Sequence, residues 1–463
     1  MTVTQNTKTL EEARHMAEVR KDEFYDYLRL ESVSTEHKQI PETVAYVKDL
    51  IEQTGGEVKV LDDLGGHPVI YGYFPASSSG NSDRTLLFYN HYDVQPADPL
   101  DEWHTEPFEP TVRDNTLYAR GVSDNKANFM ARLNALSILK ESNDGFPCNV
   151  KFLLEGEEEI GSPNLGLYIE KYADLFQADA CIWEAGSKDK YENYIVSAGM
   201  KGIAYFDLEV TTAAIDIHSS IAAIADNPAW RLIHALSSMK NEKNEIVVEG
   251  FYDGIAPLSK KDKEAAANQP FKAEEVKAQY GLTGKFITEG TDVTPAEALA
   301  YSPTMTVCGF SSGYTGPGIK TVLPKNAKAK LDCRLVPGQN PKHVRDSLRQ
   351  HLDDHGYGDI SLTMVAAEGA QRTSLEDPFI ETVVNSAKKV YGDENPVIVS
   401  PSMAGTGPSE LFEKYLHLPI AGVGAGWAYS GAHAPNENIR LADFYQNIAH
   451  MVELIKVFGV EKN

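Results

Sequence analysis

A histidine and an aspartate two residues apart at the end of a buried strand can bind and orient a metal ion. The segment Tyr89-Asn90-His91-Tyr92-Asp93-Val94-Gln95-Pro96 offers such a pair in His91 and Asp93. The apolar run Thr85-Leu86-Leu87-Phe88-Tyr89 before it reads as the strand. Side chains alternate along a strand, so residues two apart share a face. A histidine that gives one ring nitrogen to a metal is commonly held through the other by a carboxylate. Alone, the pair reads equally well as a polar strand end.

More acidic residues and a late histidine also stand where strands end or helices start. Asp124, in Tyr118-Ala119-Arg120-Gly121-Val122-Ser123-Asp124-Asn125-Lys126, precedes a helix from about Asn128. An acidic residue there stabilises the helix dipole even without a chemical role. Glu155-Gly156-Glu157-Glu158-Glu159-Ile160-Gly161-Ser162 leaves the apolar strand ending at Leu154, where α/β proteins set ligand sites. Adjacent carboxylates repel, so a cluster kept together calls for a cation. Glu184 closes the strand-like Ala180-Cys181-Ile182-Trp183, and His433 lies in a Gly/Ala-rich turn, Ser430–Glu437. His15, His37 and His351 fall on helical or polar stretches and read as surface. Nitrogen and oxygen donors without thiolate suit zinc, manganese or cobalt. They outnumber the three protein donors of a single catalytic zinc. They fit two ions ~3.5–4 Å apart that share a carboxylate and a hydroxide, activating water and polarising a carbonyl.

The elements that must carry these residues alternate between strand and helix. Helices are expected over the first forty or so residues, from Pro41 to Gly55, and over 128–140; strands over 57–61, 69–74, 85–90, 149–154 and 180–183. That alternation indicates an α/β layer fold. From Gly202 the pattern changes to strands with one wet face, 202–210, 328–336 and 360–365, with helices at 228–239 and 341–355. This β-α-β-β-α-β-like set predicts a separate small domain interrupted by a polar insertion at 255–300. The last ninety or so residues return to the first style. The expected division is therefore 1–201 and 369–463 for one domain, with 202–368 inserted in it.

A chain of 463 residues exceeds one ordinary core, which agrees with two domains. Hydrophobic content of 42% and charged content of 24% are those of a soluble globular protein. A formal net charge of -24 opposes phosphate backbones and anionic lipid, so neither nucleic acid nor membrane is an expected partner. Cys148, Cys181, Cys308 and Cys333 form no C-x-x-C pair and read as free thiols of a reducing compartment. The N-terminus lacks the apolar core of a signal peptide, and no run approaches the ~18 apolar residues of a membrane span. A cytoplasmic protein is expected.

Four motifs carry a resemblance: His-x-Asp-x-Gln-Pro at 91–96, Arg-Gly-x-x-Asp-x-Lys at 120–126, Glu-Glu-x-Gly-Ser at 158–162 and Gly-Ala-His-x-x-Asn-Glu at 431–437. In this order they resemble the carnosinase and cytosolic non-specific dipeptidase group of di-zinc exopeptidases. Glutamate carboxypeptidase, the aminoacylases and acetylornithine deacetylase belong to the same superfamily. The resemblance implies an α/β/α catalytic domain with an inserted ferredoxin-like lid and dimerisation domain, and two divalent ions per subunit, zinc above manganese or cobalt. It implies that His91 and Glu184 bind one ion, Glu159 and His433 the other, and that Asp124 bridges them. Asp93 would orient His91. Glu158 would be the general base that takes a proton from the bridging water and delivers it to the leaving amine. The Asp124-Asn125 peptide would be cis. Glu155 and Glu157 gain no role.

In the smaller domain, Asp216-Ile217-His218-Ser219 resembles a segment whose histidine stabilises the oxyanion, often from the partner subunit. Arg334 matches an arginine that holds the substrate's free carboxylate, and Gly405-Thr406-Gly407 a segment lining the same end. Gly422, Gly424 and Gly426 form a Gly-x-Gly-x-Gly without a clear following helix, which does not make a dinucleotide site. The implied activity is hydrolysis of dipeptides or of the last bond of short peptides, in a homodimer joined through the inserted domain. Glu184 stands where many dipeptidases of the superfamily have Asp and its carboxypeptidases and deacylases have Glu. That residue argues for release of a C-terminal amino acid or cleavage of an N-acyl group. Two alternatives follow: an N-acyl- or N-carbamoyl-amino-acid amidohydrolase, and an inactive peptide-binding protein.

Overall fold

The computed structural model describes residues 2–142, 145–392, 394–403 and 405–460. The chain folds into two compact units. One comprises Met1–Gly199, Arg372–Pro401 and Pro408–Asn463; the other comprises Met200–Gln371 together with Ser402–Gly407. The segment 402–407 thus belongs with the inserted unit rather than with the returning part of the chain, where the sequence pattern sets it.

The first unit is built on a mixed ten-stranded sheet. Its centre is four parallel strands in the order Cys148–Glu155, Asn81–His91, Ala180–Trp183 and Ile420–Gly422. One face of the sheet, through Phe88 and Phe152, shares a core with helices Ile40–Thr54, Ala127–Glu141, Pro378–Tyr391 and Leu441–Val460, and helix Thr2–Val19 packs on Ala127–Glu141 and Leu441–Val460. The other face, through Tyr89 and Trp183, packs on Phe412 of helix Ser409–Leu416. Helices on both faces are why these central strands read as continuous apolar runs. Helix Ile40–Thr54 starts with Pro41 in its first turn and stops at Gly55, whose φ of 103° closes the left-handed cap.

The second unit holds a four-stranded antiparallel sheet in the order Thr304–Ser312, Asn326–Leu335, Gly202–Thr211, Ser361–Glu368. With helices Pro228–Met239 and Pro341–Asp354 between the strands this is β-α-β-β-α-β, the ferredoxin-like order. Both helices begin with an Asn cap followed by Pro, Asn227-Pro228 and Asn340-Pro341. Ala204, Phe206, Leu208 and Val210 alternate into the core beneath them. The polar insertion is three short helices, Lys260–Ala267, Ala273–Tyr280 and Pro295–Tyr301. Two of them open on capping boxes, Ser259/Asp262 and Thr294/Glu297. His351, read as surface, is in fact buried and faces the Ser238 hydroxyl at 3.0 Å, because its helix turns that side to the core. Among the described residues no helix is long and apolar enough to cross a membrane.

Candidate metal centre

The carboxyl ends of the central parallel strands bring three of the sequence-picked groups together. His91 ends one strand and is opposite Glu155, the last residue of the next. Glu158 and Glu159 lie in the turn that follows Glu155, and Glu184 comes directly after Ala180–Trp183. Buried Arg132, on helix Ala127–Glu141, fixes these ends from below by donating to the carbonyls of Tyr89 and Trp183 and to the Asn90 side chain. Tyr89 and Trp183 stack at 4.1 Å between centroids.

His91 is fully buried. Its Nε2 lies 3.1 Å from Asp124 Oδ1 and 3.3 Å from Glu184 Oε2. The other oxygen of Asp124, Oδ2, lies 3.1 Å from His433 Nε2, which also faces Glu159 Oε2 at 3.1 Å. Donor atoms of His91, Asp124 and Glu159 all lie within 4.8 Å of one another. His433 reaches its place from a turn in which its own φ is 62°, a left-handed conformation uncommon outside glycine. The Asp124-Asn125 peptide is cis.

Two imidazoles among this many carboxylates are drawn towards positive charge. Burial pulls the His91 pKa down, but Glu184, Asp124 and Asp93 together carry it well above the ordinary range. Hydrogen bonds to Asp124 and Glu159 lift His433 to about 10. Burial raises Glu184 to about 8, and raises Glu158 well above its usual value with help from the Glu184 charge. Against burial, His433 and His91 hold Asp124 well below the usual carboxylate range. A site that concentrates acidic oxygens beside imidazole nitrogens, each within ligand reach of one carboxylate, has the donor chemistry of a divalent cation site.

The supporting contacts refine the role of Asp93. The nearest partner of His91 Nδ1 is the Asp93 main-chain carbonyl at 2.9 Å, with the carboxylate at 3.4 Å. The Asp93 carboxylate also accepts the main-chain N–H groups of Glu158 at 3.3 Å and Glu159 at 3.1 Å. It therefore ties the acidic turn to the histidine strand. Gln95 donates to Glu159 Oε2 at 2.9 Å, and Asn125 to Glu184 Oε2 at 3.1 Å.

Glu437 has a positioning role that its motif alone did not reveal. It is buried against Arg120 at 2.8 Å, and its two oxygens accept the N–H groups of Gly121, Ser123 and Asp124 at 2.8–3.0 Å. This carboxylate shapes the loop that presents Asp124. Glu155 and Glu157 are structural: Tyr89 and Ser162 donate to Glu155, Asn164 and the His67 main chain to Glu157.

His218, Arg334 and Gly405-Thr406-Gly407 belong to the second unit. His218 is exposed on a short ribbon, Ile217–His218 paired with Val322–Leu323. Arg334 and Glu368 both register against Ile203 on neighbouring strands, and Glu368 is hydrogen-bonded to Thr406.

A model of peptidase family M20/M25/M40 matches residues 87–457. The Beta-Ala-His dipeptidase of Mus musculus is 26% identical over 94% of this chain and 93% of its own. The Cys-Gly metallodipeptidase of Saccharomyces cerevisiae is 26% identical over 89% of each. The crystal structure of an M20 family metallo-carboxypeptidase from Sulfolobus solfataricus is 39% identical, covers 95% of this chain and 98% of that one, and superposes with a TM-score of 0.84. With a family match across most of its length and the fold to accompany it, the chain belongs to peptidase family M20/M25/M40 and is a metallopeptidase, a hydrolase acting on peptide bonds.

Proposed function

We propose that this metallopeptidase is a di-metal exopeptidase that hydrolyses dipeptides or the last bond of short peptides. The observation that carries the reading is the split carboxylate of Asp124, with one oxygen 3.1 Å from His91 and the other 3.1 Å from His433. His91 and Glu184 complete one donor set, Glu159 and His433 the other. Zinc suits these donors, and manganese and cobalt are alternatives. Two divalent ions, when bound, supply Lewis acidity and a water of lowered pKa. Glu158 takes the proton of the attacking water and hands it to the leaving amine. Asp93, through the main chain of Glu158 and Glu159, keeps that carboxylate in place.

Arg334 and the Gly405-Thr406-Gly407 segment hold the free carboxylate of the substrate. His218 stabilises the oxyanion. Its Nδ1 accepts the N–H of Ser220 at 3.1 Å, which leaves the proton on Nε2, the donor that role needs. Ile215, Ile224 and Ile319 near it are 69%, 88% and 95% exposed, which supports a homodimer through the second unit with His218 lent to the partner. Burial raises the thiols of Cys148, Cys181 and Cys333 to about 12, as suits inert cysteines in a reducing, cytoplasmic setting.

The named activities of the relatives span dipeptide hydrolysis and carboxypeptidase action. Glu184 favours release of a C-terminal residue. The same residue also favours the second reading, hydrolysis of N-acyl or N-carbamoyl amino acids on one centre. Dipeptides, tripeptides and N-acetyl amino acids, each assayed with zinc, manganese and cobalt, separate them. Cleavage of free-carboxylate peptides is expected. Turnover confined to N-acyl amino acids would establish the amidohydrolase instead, and no turnover with any metal would leave a peptide-binding protein. Sedimentation of a monomer at micromolar concentration would overturn the dimer.

A further inference from the structure

The loop Leu64–Pro68 lies outside the four motifs, yet it grips the turn that carries Glu158 and Glu159. His67 is 8% exposed, and its Nδ1 lies 2.6 Å from the carbonyl oxygen of Gly156. The main-chain N–H of His67 donates to Glu157 Oε1 at 3.1 Å, and Asn164 donates to the other oxygen at 2.9 Å. Tyr92 donates to the Pro68 carbonyl at 2.7 Å. A Cβ on Gly66, whose φ is 72°, would stand 2.5 Å from Glu157 Oε1, so the approach requires glycine. Outside His67 lies His37, with Nδ1 2.8 Å from His67 Nε2. The turn bearing His37 is pinned beside the metal-side strand by the Val33–Val94 bridge and the Val94 N–H to Ser32 carbonyl bond of 3.1 Å.

A carbonyl oxygen only accepts, so His67 Nδ1 carries a proton. His67 Nε2 faces His37 Nδ1, and one proton between the two nitrogens joins the rings. His37, His67 and the Gly156 carbonyl thus form a connected chain of hydrogen bonds, and such chains strengthen each link.

We propose that His67 is a positioning residue for Glu158 and Glu159, holding their turn from behind, and that His37 backs the His67 ring. The proposal rests on the reading of Glu158 as the base. With metal saturating, His67→Leu should lower kcat on the order of 10–100-fold, as loss of a partner behind a ligand shell does. KM should stay within about twofold, because the substrate contacts are untouched. His67→Asn keeps an N–H for the Gly156 carbonyl and should restore most of kcat. A His67→Leu enzyme with wild-type kcat overturns the proposal, and so does a His67→Asn enzyme as impaired as the Leu variant. Nitrogen NMR of histidine-labelled wild-type protein tests the same point without a substitution. A His67 ring carrying a proton at Nδ1 is expected, and one protonated at Nε2 alone overturns it. Glu158→Gln separates the two claims. If that variant turns over normally the base assignment fails; if it is dead while His67→Leu is unaffected, only this proposal fails.

Discussion

Glu158 is near Glu184, His91, Asp124 and Glu159, but among the described residues it pairs with neither imidazole within 4.0 Å, whereas Glu159 and Glu184 do. Ligand and base are thus separable by substitution. Glu158→Gln keeps the shape and loses the proton acceptor, so turnover should fall roughly 10²–10⁴-fold while metal content, measured by elemental analysis, stays at the wild-type level. Metal lost along with activity would place Glu158 among the ligands instead. A second residue matters for stability rather than chemistry. His450 is fully buried between the Tyr194 hydroxyl at 3.1 Å and the Ser386 hydroxyl at 3.0 Å. Burial lowers its pKa from the ordinary 6.5 to about 3. Below 6.5 the unfolded chain takes up a proton here that the folded protein refuses. The stability this group contributes is therefore whole above pH 6.5 and drains away as pH falls towards 3. In metal-free protein, His450→Gln should lose less melting temperature between neutral and mildly acidic pH than wild type. Parallel losses in the two proteins would show that His450 is not an acid-sensitive group.

At the scale of elements, the site depends on loops that sit against each other without side chains between them. Gly424 follows the strand Ile420–Gly422, and Gly186 follows Glu184. A Cβ on Gly424 would stand 2.5 Å from the Gly186 nitrogen and 2.9 Å from Asn128 Oδ1, which accepts the Ala425 N–H. The glycine-rich stretch set aside as a dinucleotide motif therefore serves the close approach of two main chains beside Glu184. Gly424→Ala should destabilise the protein by about 1–3 kcal/mol through overpacking. It should also weaken metal binding by shifting Glu184. Denaturant unfolding and metal titration read these two effects, and unchanged values for both would mean that the strand ends can yield. Short elements escaped the sequence reading for a related reason. Tyr194–Ser197 and Val397–Ser400 are each four residues long and pair with each other in parallel. Four residues hold few periods, and Val397–Ser400 is half-buried throughout, without the wholly buried apolar run that marks Ala180–Trp183.

For the whole molecule, the centre draws on segments near residues 91, 124, 158, 184 and 433, so an ion bound there closes long stretches of chain around one point. Ligands that bind only the folded state stabilise it by mass action, about 2.7 kcal/mol per site at a hundredfold excess over Kd. Neutralising acidic oxygens in a chain of net charge -24 acts in the same direction. Chelation should lower the melting temperature, and the temperature should climb again with added zinc, manganese or cobalt. A melting temperature indifferent to chelator would mean that these donors hold no ion in the folded protein.

Read alone, the sequence determined the layer fold, three of the four strands and both helices of the β-α-β-β-α-β unit, and the identity of the residues at the strand ends. Strand alternation, helix periodicity, Asn-Pro starts and glycine stops are local, and a run such as Leu86–His91 shows them within a few residues. Tertiary structure alone decided which polar groups support which. Glu437 could not be joined to the Asp124 loop from sequence, because its partner Arg120 is 317 positions away. His67 is 89 positions from the carbonyl it holds. Asp93 was picked to orient His91, and only the fold shows that the same carboxylate, 3.4 Å from that ring, also accepts the main-chain N–H groups of Glu158 and Glu159. A hydrogen bond needs only nearness and direction in space, and neither leaves a periodic trace along the chain.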